Sequence, residues 1–216
     1  MLNFEKPIYK ITEYIENNNF GKFELEPLER GFGTTIGNAL RRVMLSSMPG
    51  SAIVAIRIDG VMHEFQTIDG IVEDVTTIVL NLKNVVVKNL TEETKELHLS
   101  VSEEGVVTAG DIKTDSDVEI INKDQVIATI SKGGKLDMDL IVSNGRGYVP
   151  SVDNKKFIEG NKIGFIPIDA LYSPVERVSY EIENARVGQD ANYDKLIMNV
   201  QTNGSLKPEE AMALAS

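Results

Sequence analysis

The chain has no cysteine and no tryptophan, only two histidines in 216 residues, and 22 cationic side chains against 33 anionic ones. Without cysteine there is no disulfide framework, no thiolate metal site and no cysteine nucleophile, a pattern that suits a reducing cytoplasm. His63 and His98 each stand in an alternating, strand-like context, "VMHEF" and "ELHLS". They read as surface or satisfied strand positions, which leaves a serine–histidine–acid triad or a paired-histidine metal site few candidates. The net charge of −11 makes the chain a poor stand-alone ligand for nucleic acid, because phosphate binding needs a dense basic surface that releases counterions. Apolar runs such as Ile78–Leu80 and Val85–Val87 fall far short of the roughly 18 residues of a membrane span. The opening "MLNFEKPIYK" has no apolar stretch of signal-peptide length, so a cytoplasmic protein is expected.

What is present is a 42% hydrophobic composition, enough for a real core in one domain or two modest ones. Alternation in "YKITEYI" and "FGKFELE" predicts a hairpin across Ile8 to Glu26, turning at Asn17-Asn18-Asn19. A turn and a helix from Thr35 to Ser47 follow, closed by Pro49-Gly50. Ile53 to Ile58 reads as a half-buried strand, and Asp59-Gly60 turns it toward a second strand, "VMHEF". A second helix is predicted from Ile71, Val75, Ile78, Val79 and Leu82, with Glu73 and Asp74 early and Lys83 late, as the helix dipole prefers. Val85 to Val142 reads as short strands and turns, "RVSYEIENARV" and "KLIMNVQT" as further strands, and "PEEAMALAS" as a helix that looks cut inside an element. There is no internal repeat and no low-complexity linker.

The stretch "LERGFGTTIGNALRRVMLSSMPG", Leu28 to Gly50, poses the sharpest question. Gly31, Gly33 and Gly37 spell G-x-G-x-x-x-G, one residue off the dinucleotide fingerprint, without the Gly-Lys-Ser/Thr of a P-loop. The fingerprint also belongs to a parallel βαβ unit, and an antiparallel hairpin precedes these glycines. A tight turn with Thr34 or Thr35 capping the helix is the plainer reading. At about 100° per residue, Ile36, Ala39, Leu40, Val43 and Ser47 share one face, which must pack on the hairpin or on a partner. Asn38, Arg41, Arg42 and Leu45 gather on the opposite face, where a leucine among guanidinium groups suits a docking surface: arginine binds carboxylates and carbonyls through its planar fork, and the leucine can seat in a pocket.

At these residues the sequence closely resembles the bacterial RNA polymerase alpha subunits, in their N-terminal assembly domain. The resemblance begins in "LEPLERGFGTTIGNALRRVMLSSMPG" and continues in family order through "IDGVMHEF", "EDVTTIVLNLKN", "GRGYVP", "DALYSPVERVSYEIENARV" and "TNGSLKPEEA", covering essentially the whole chain. It implies an α+β fold of two subdomains: a discontinuous sheet-and-helix dimerisation subdomain from residues 1–50 and 170–216, and an inserted, mostly β subdomain from 51–169. It implies a non-catalytic scaffold that dimerises with a second alpha chain and recruits the beta and beta-prime subunits, with no cofactor and no catalytic residue in this chain. Carried over position by position, Arg42 and Leu45, with Asn38 and Arg41 beside them, match the beta-subunit contact, and Lys83 and Ile168 match positions linked to beta-prime. Leu28, Phe32, Ile36 and Val43 match the self-association surface. Family members continue past the helix begun at "PEEA" into a linker and a small DNA-binding domain. Lys207 stands where an acidic cap would suit that helix better.

Three other features are weaker. Asp111, Asp115, Asp117 and Glu119 lack the glycine and final bidentate glutamate of a calcium loop and read as a turn and strand edge. Arg146 between glycines in "SNGRGYVP" could form an anion nest, but a loop is the default. Ser173 in Tyr172-Ser173-Pro174 has no nearby histidine to activate it. The rival functions are a nucleotide-dependent enzyme using the glycine stretch and direct promoter binding.

Overall fold

A computed structural model describes residues 6–15, 19–158, 164–188 and 190–216. Asn17 and Asn18 of the expected turn lie outside the described residues. The fold is α+β, and the contacts divide it into a smaller unit, Met1–Met48 with Ser173–Ser216, and a larger one, Pro49–Tyr172.

In the smaller unit, β1 (Ile8–Ile15) and β2 (Phe20–Glu29) pair antiparallel as the hairpin alternation requires. Two strands of 13 residues, β13 (Val175–Val187) and β14 (Asp190–Thr202), form a second antiparallel pair. β14 joins β2, giving the order β1-β2-β14-β13. Helices α1 (Phe32–Ser46) and α4 (Pro208–Ala215) supply Met44, Ala211 and Met212 to a core built on Phe23, Leu196, Met198 and Val200 from the sheet.

The larger unit is built on a sheet ordered β11-β3-β9-β5: β3 (Pro49–Ile58), β5 (Lys95–Val101), β9 (Leu136–Arg146) and the short β11 (Ile166–Pro167). Along β9, Leu136, Met138, Leu140 and Val142 enter one apolar cluster and Ile141 enters another, so side chains alternate into cores on both faces. The main cluster is closed by α2 (Val75–Lys83) through Val75, Ile78, Val79 and Leu82. Two-stranded ribbons, β4 (Val87–Asn89) with β7 (Val118–Ile120) and β6 (Gly105–Thr108) with β8 (Val126–Ile130), complete the β-rich middle. The remaining elements are β10 (Tyr148–Val149), the one-turn α3 (Ser151–Asn154), 3-10 turns at Ala109–Asp111 and Lys155–Phe157, and β12 (Ala170–Leu171), which pairs with β10. Among the described residues no helix is long and apolar enough to cross a membrane.

Several expectations change on contact with the structure. "VMHEF" is a turn, because the Gln66 side chain accepts from Met62 N–H at 3.0 Å and donates to the Gly60 carbonyl at 3.0 Å, closing a loop where a strand would have to extend. His63 is therefore an exposed loop residue. The Ile53 to Ile58 part of β3 is buried except for Arg57, since it lies between β11 and β9 with apolar clusters on both faces. The second helix begins at Val75: the Asp74 carboxylate accepts from Thr77 N–H at 2.8 Å and caps it there. Ile71 makes a bridge to Ile130, and Glu73 accepts from the amide and hydroxyl of Thr129.

Candidate functional site

The glycines before α1 carry a different chemistry from phosphate binding. Helix α1 starts at Phe32, three residues earlier than the periodicity predicts, with Gly31 in the left-handed region at φ 89°. Neither Thr34 nor Thr35 caps it; Thr35 Oγ1 bonds back to the Gly31 carbonyl at 3.4 Å. The anion at this helix terminus is the protein's own Asp194, a buried residue of β14. Its Oδ2 accepts from Gly31 N–H at 2.8 Å and Gly33 N–H at 3.2 Å. A carboxylate satisfies the first orphan amides of the helix and interacts favourably with its dipole. Those donors are thereby engaged, and the nucleotide reading loses the amides it depended on. The other glycine roles are steric: a Cβ on Gly33 would come within 3.2 Å of Asp194 Cβ, and one on Gly37 within 2.7 Å of the Tyr180 ring. Glycine here lets the helix lie close on β13 and β14.

That packing divides α1 into three lengthwise strips. Gly33, Gly37 and Met44 are buried and Leu40 half-buried, so the inward strip is centred on them and not on Val43 or Ala39, which are exposed. Along the next strip, Phe32, Ile36, Ala39 and Val43 recur at helical spacing, with Phe32 54% and Val43 36% exposed. The third strip holds Asn38, Arg42 and Leu45, all exposed, with Arg41 beside them. Arg41 Nε donates to the Val178 carbonyl at 3.3 Å, which ties it to β13. Arg42 has no ion-pair partner among the described residues.

The apolar strip borders a groove of about 550 Å³. Its floor is Phe23, Leu25, Leu196 and Met198 on the sheet, and its sides are Ile36 and Leu40 from α1 and Met212 and Ala213 from α4. Tyr9 and Ile11 of β1 line the remaining side and stay about half exposed, and Tyr9 stacks on Phe23 with ring centroids 5.8 Å apart. Partial burial, then Glu209 nearby, raises the Tyr9 hydroxyl above its ordinary pKa. Of the four positions the resemblance gives to self-association, Ile36 lines this opening, and Phe32 and Val43 stand exposed on the same strip of α1. Leu28 is 5% exposed and belongs to the interior.

In the larger unit, Lys83 ends α2 and its Nζ lies 2.8 Å from Asp169 Oδ2. Ile168, adjacent in sequence, is 2% exposed, so its side chain is core and cannot itself present a surface. The structure thus brings Lys83 beside residues 168–169 through Asp169. The carboxyl of Asp169 is held below its ordinary range, first by the Lys83 bond and then by the Ser151 backbone. Three of the four acids between residues 111 and 119 have local partners. Asp111 accepts from Thr108 N–H, and Asp117 pairs with Lys95 while its own amide donates to Asp115. His98 does lie on a strand, with Nδ1 2.7 Å from Asp139 Oδ1. Arg146 is exposed, and Ser173 Oγ bonds the Val175 carbonyl at 3.4 Å. Sequence reasoning missed Asp194 and Asp169. The available signal for Asp194 was its parity with Leu196, Met198 and Val200, which places a carboxylate on the inward face of a strand.

Comparison with known proteins adds an independent line. Residues 55–173 match the family described as the RNA polymerase Rpb3/RpoA insert domain. Over all 216 residues the chain is 54% identical to the DNA-directed RNA polymerase subunit alpha of Oceanobacillus iheyensis, covering 68% of that protein. It is 53% identical, over the same span and share, to the subunit of that name from Macrococcus caseolyticus. The chain belongs to the bacterial RNA polymerase alpha-subunit family, and with it to the subunits of DNA-directed RNA polymerase.

Proposed function

We propose that this chain is a non-catalytic, cytoplasmic scaffold of the polymerase. It forms a homodimer through the Phe32–Ile36–Val43 strip and the groove beside it, and receives the beta subunit on the Arg42–Leu45 strip and beta-prime at Lys83. The observation that carries the reading is the apolar groove of about 550 Å³, bordered by an exposed apolar helix strip. A second copy offers a matching strip by symmetry, and obligate dimer surfaces resemble a domain core cut in half. The Arg42–Leu45 strip points away from the inward strip, which leaves it free for a different partner. An arginine buried against a carboxylate or carbonyl there would fix orientation, with Leu45 as the apolar anchor.

The two faces are separable by one crossed experiment. Phe32→Glu with Val43→Glu should give a monomer by light scattering, because it places charges inside an apolar contact. Arg42→Ala should remain a dimer and melt within about 0.5 kcal/mol of the parent, as exposed substitutions do. Its capture of beta subunit should fall by tens to thousands of fold, since truncating one partner of a desolvated pair costs about 2–5 kcal/mol. A dimer that survives the double glutamate substitution, or undiminished beta capture by the Arg42→Ala protein, would overturn the corresponding face.

A further inference from the structure

We infer that Asp169 is the positioning residue of the beta-prime docking site: it holds the Lys83 ammonium at a fixed point so that a partner's acceptor oxygen meets an already oriented donor. This rests on the assignment of Lys83 to that contact. Lysine is ordinarily a poor anchor, because its flexible four-carbon stem carries rotamer entropy that docking must remove. Here that cost is largely met before any partner arrives. Lys83 Nζ is 2.8 Å from Asp169 Oδ2, and both side chains are about one third exposed, so the ammonium is pinned yet reachable. One of its three donors faces Asp169, which leaves two for an acceptor outside.

Asp169 is itself held from several directions. Its Oδ1 accepts from Ser151 N–H at 2.9 Å, fastening it to the start of α3. The preceding residue, Ile168, is fixed at three points. Its amide donates to the Val54 carbonyl at 2.9 Å, its carbonyl accepts from buried Asn154 Nδ2 at 2.7 Å, and its side chain is in the core. The contribution of Ile168 to docking is then indirect: it anchors the loop from which Asp169 aims Lys83. A casual surface ion pair has no such support, and pairs of that kind contribute little. The partner group that fits is a carbonyl or carboxylate oxygen of the beta-prime subunit.

The test is a double-mutant cycle on capture of beta-prime by the assembled alpha–beta complex. Asn at position 169 keeps the shape and can still accept from Ser151 N–H, so Asp169→Asn removes chiefly the hold on Lys83. Lys83→Met should weaken capture by about tenfold or more and Asp169→Asn by about three- to tenfold. Asp169→Asn placed on Lys83→Met should add nothing, because no ammonium remains to position. Losses that multiply in the double variant would overturn the inference, since Asp169 would then act independently of Lys83. Normal capture by Asp169→Asn beside a defect in Lys83→Met also overturns it and leaves the beta-prime assignment standing; normal capture by Lys83→Met ends that assignment and the inference with it. Should Asp169→Asn fail to fold, Lys83→Arg serves: it keeps the charge on a longer planar head that one carboxylate oxygen cannot hold at the same point. Capture should fall about threefold, and parental capture by Lys83→Arg overturns the proposal.

Discussion

In the larger unit, Ile78 and Leu82 of α2 and Leu136, Met138 and Leu140 of β9 are enclosed, and β3 is covered on both faces. In the smaller unit, Phe32 and Val43 stand exposed on α1, and Tyr9 and Ile11 of β1 line an apolar groove while staying about half exposed. The larger unit spends polar groups on local closure, as in the Asp74 cap, the Glu73–Thr129 bonds and the Lys83–Asp169–Ser151 junction. The smaller one leaves an apolar groove of about 550 Å³ open beside α1. The difference teaches that one chain can close one core by local polar contacts and leave an apolar groove open on another, and the proposed docking faces fall in both units, with self-association and beta on α1 and beta-prime at Lys83.

The strongest way to break that comparison is to cut a cavity in each unit. Leu140 and Leu196 are both fully buried, so each Leu→Ala change should cost about 2–5 kcal/mol. The losses should behave differently by calorimetry. The proposed dimerisation would stabilise the smaller unit by mass action, so the transition weakened by Leu196→Ala should rise with protein concentration, whereas that weakened by Leu140→Ala should stay put. Concentration-independent melting of both would mean that the smaller unit is also self-sufficient.

Asp194→Ala tests what closes the smaller unit internally. It deprives Gly31 and Gly33 of their shared carboxylate and should cost about 1.5–3 kcal/mol, the range for bonds to a charged group. Amide exchange should accelerate at the first turn of α1 and leave α2 in the larger unit unchanged. Equal acceleration in both helices would show that the carboxylate is not a local clasp.

How much was legible in the sequence follows the same division. The β1–β2 hairpin, the β13 and β14 strands and α4 could be read from alternation and proline placement, because those signals are local. The start of α1 could not, because its cap comes from a residue 163 positions away in β14. Its inward strip was misplaced toward Val43 because glycine is not counted as apolar, although Gly33 and Gly37 mark the closest packing. "VMHEF" alternates like a strand, but a single glutamine side chain turns it. At the candidate site, the Arg42–Leu45 strip was visible as an anomaly of periodicity. The link between Lys83 and residue 169 spans 86 positions and needed the fold.

The larger unit's closure by charge is checked by pH. Asp139 is held below its ordinary pKa: partial burial works against it, but bonds from His98 and Arg57 prevail. Asp137 is lowered chiefly by Lys135, and Asp169 by Lys83. A carboxylate depressed in the folded state contributes stability that is fully present above its unfolded pKa, near 4, and lost as pH falls through the folded value. The larger unit should therefore keep its stability down to about pH 4 and lose it below. Asp139→Asn should cost about 1–2 kcal/mol at neutral pH, and the gap from the parent should narrow on acidification below pH 4. A gap that stays constant through that window would show that the cluster acts by packing and not by charge.

The smallest effect expected is a gain, and it falls in the smaller unit. Lys207 occupies the N-cap of α4 with extended backbone angles, φ −71° and ψ 145°, and Pro208 follows at the first helical position. Half of a capping box is already present, because Glu210 Oε2 accepts from Lys207 N–H at 3.1 Å. The other half is missing: an ammonium cannot accept a hydrogen bond from the helix amides, and it sits at the positive end of the dipole. Aspartate would accept, but it would crowd Glu209 and Glu210 with a third negative charge. Serine accepts without adding charge and completes the serine-proline-glutamate-glutamate box. Lys207→Ser should stabilise the smaller unit by about 0.5–1 kcal/mol. Because α4 forms one side of the apolar groove, a better ordered α4 should also tighten the dimer modestly, seen as a lower dissociation constant in sedimentation. A stabilised unit with unchanged dimerisation would separate the cap from the groove and confine the effect to the helix itself.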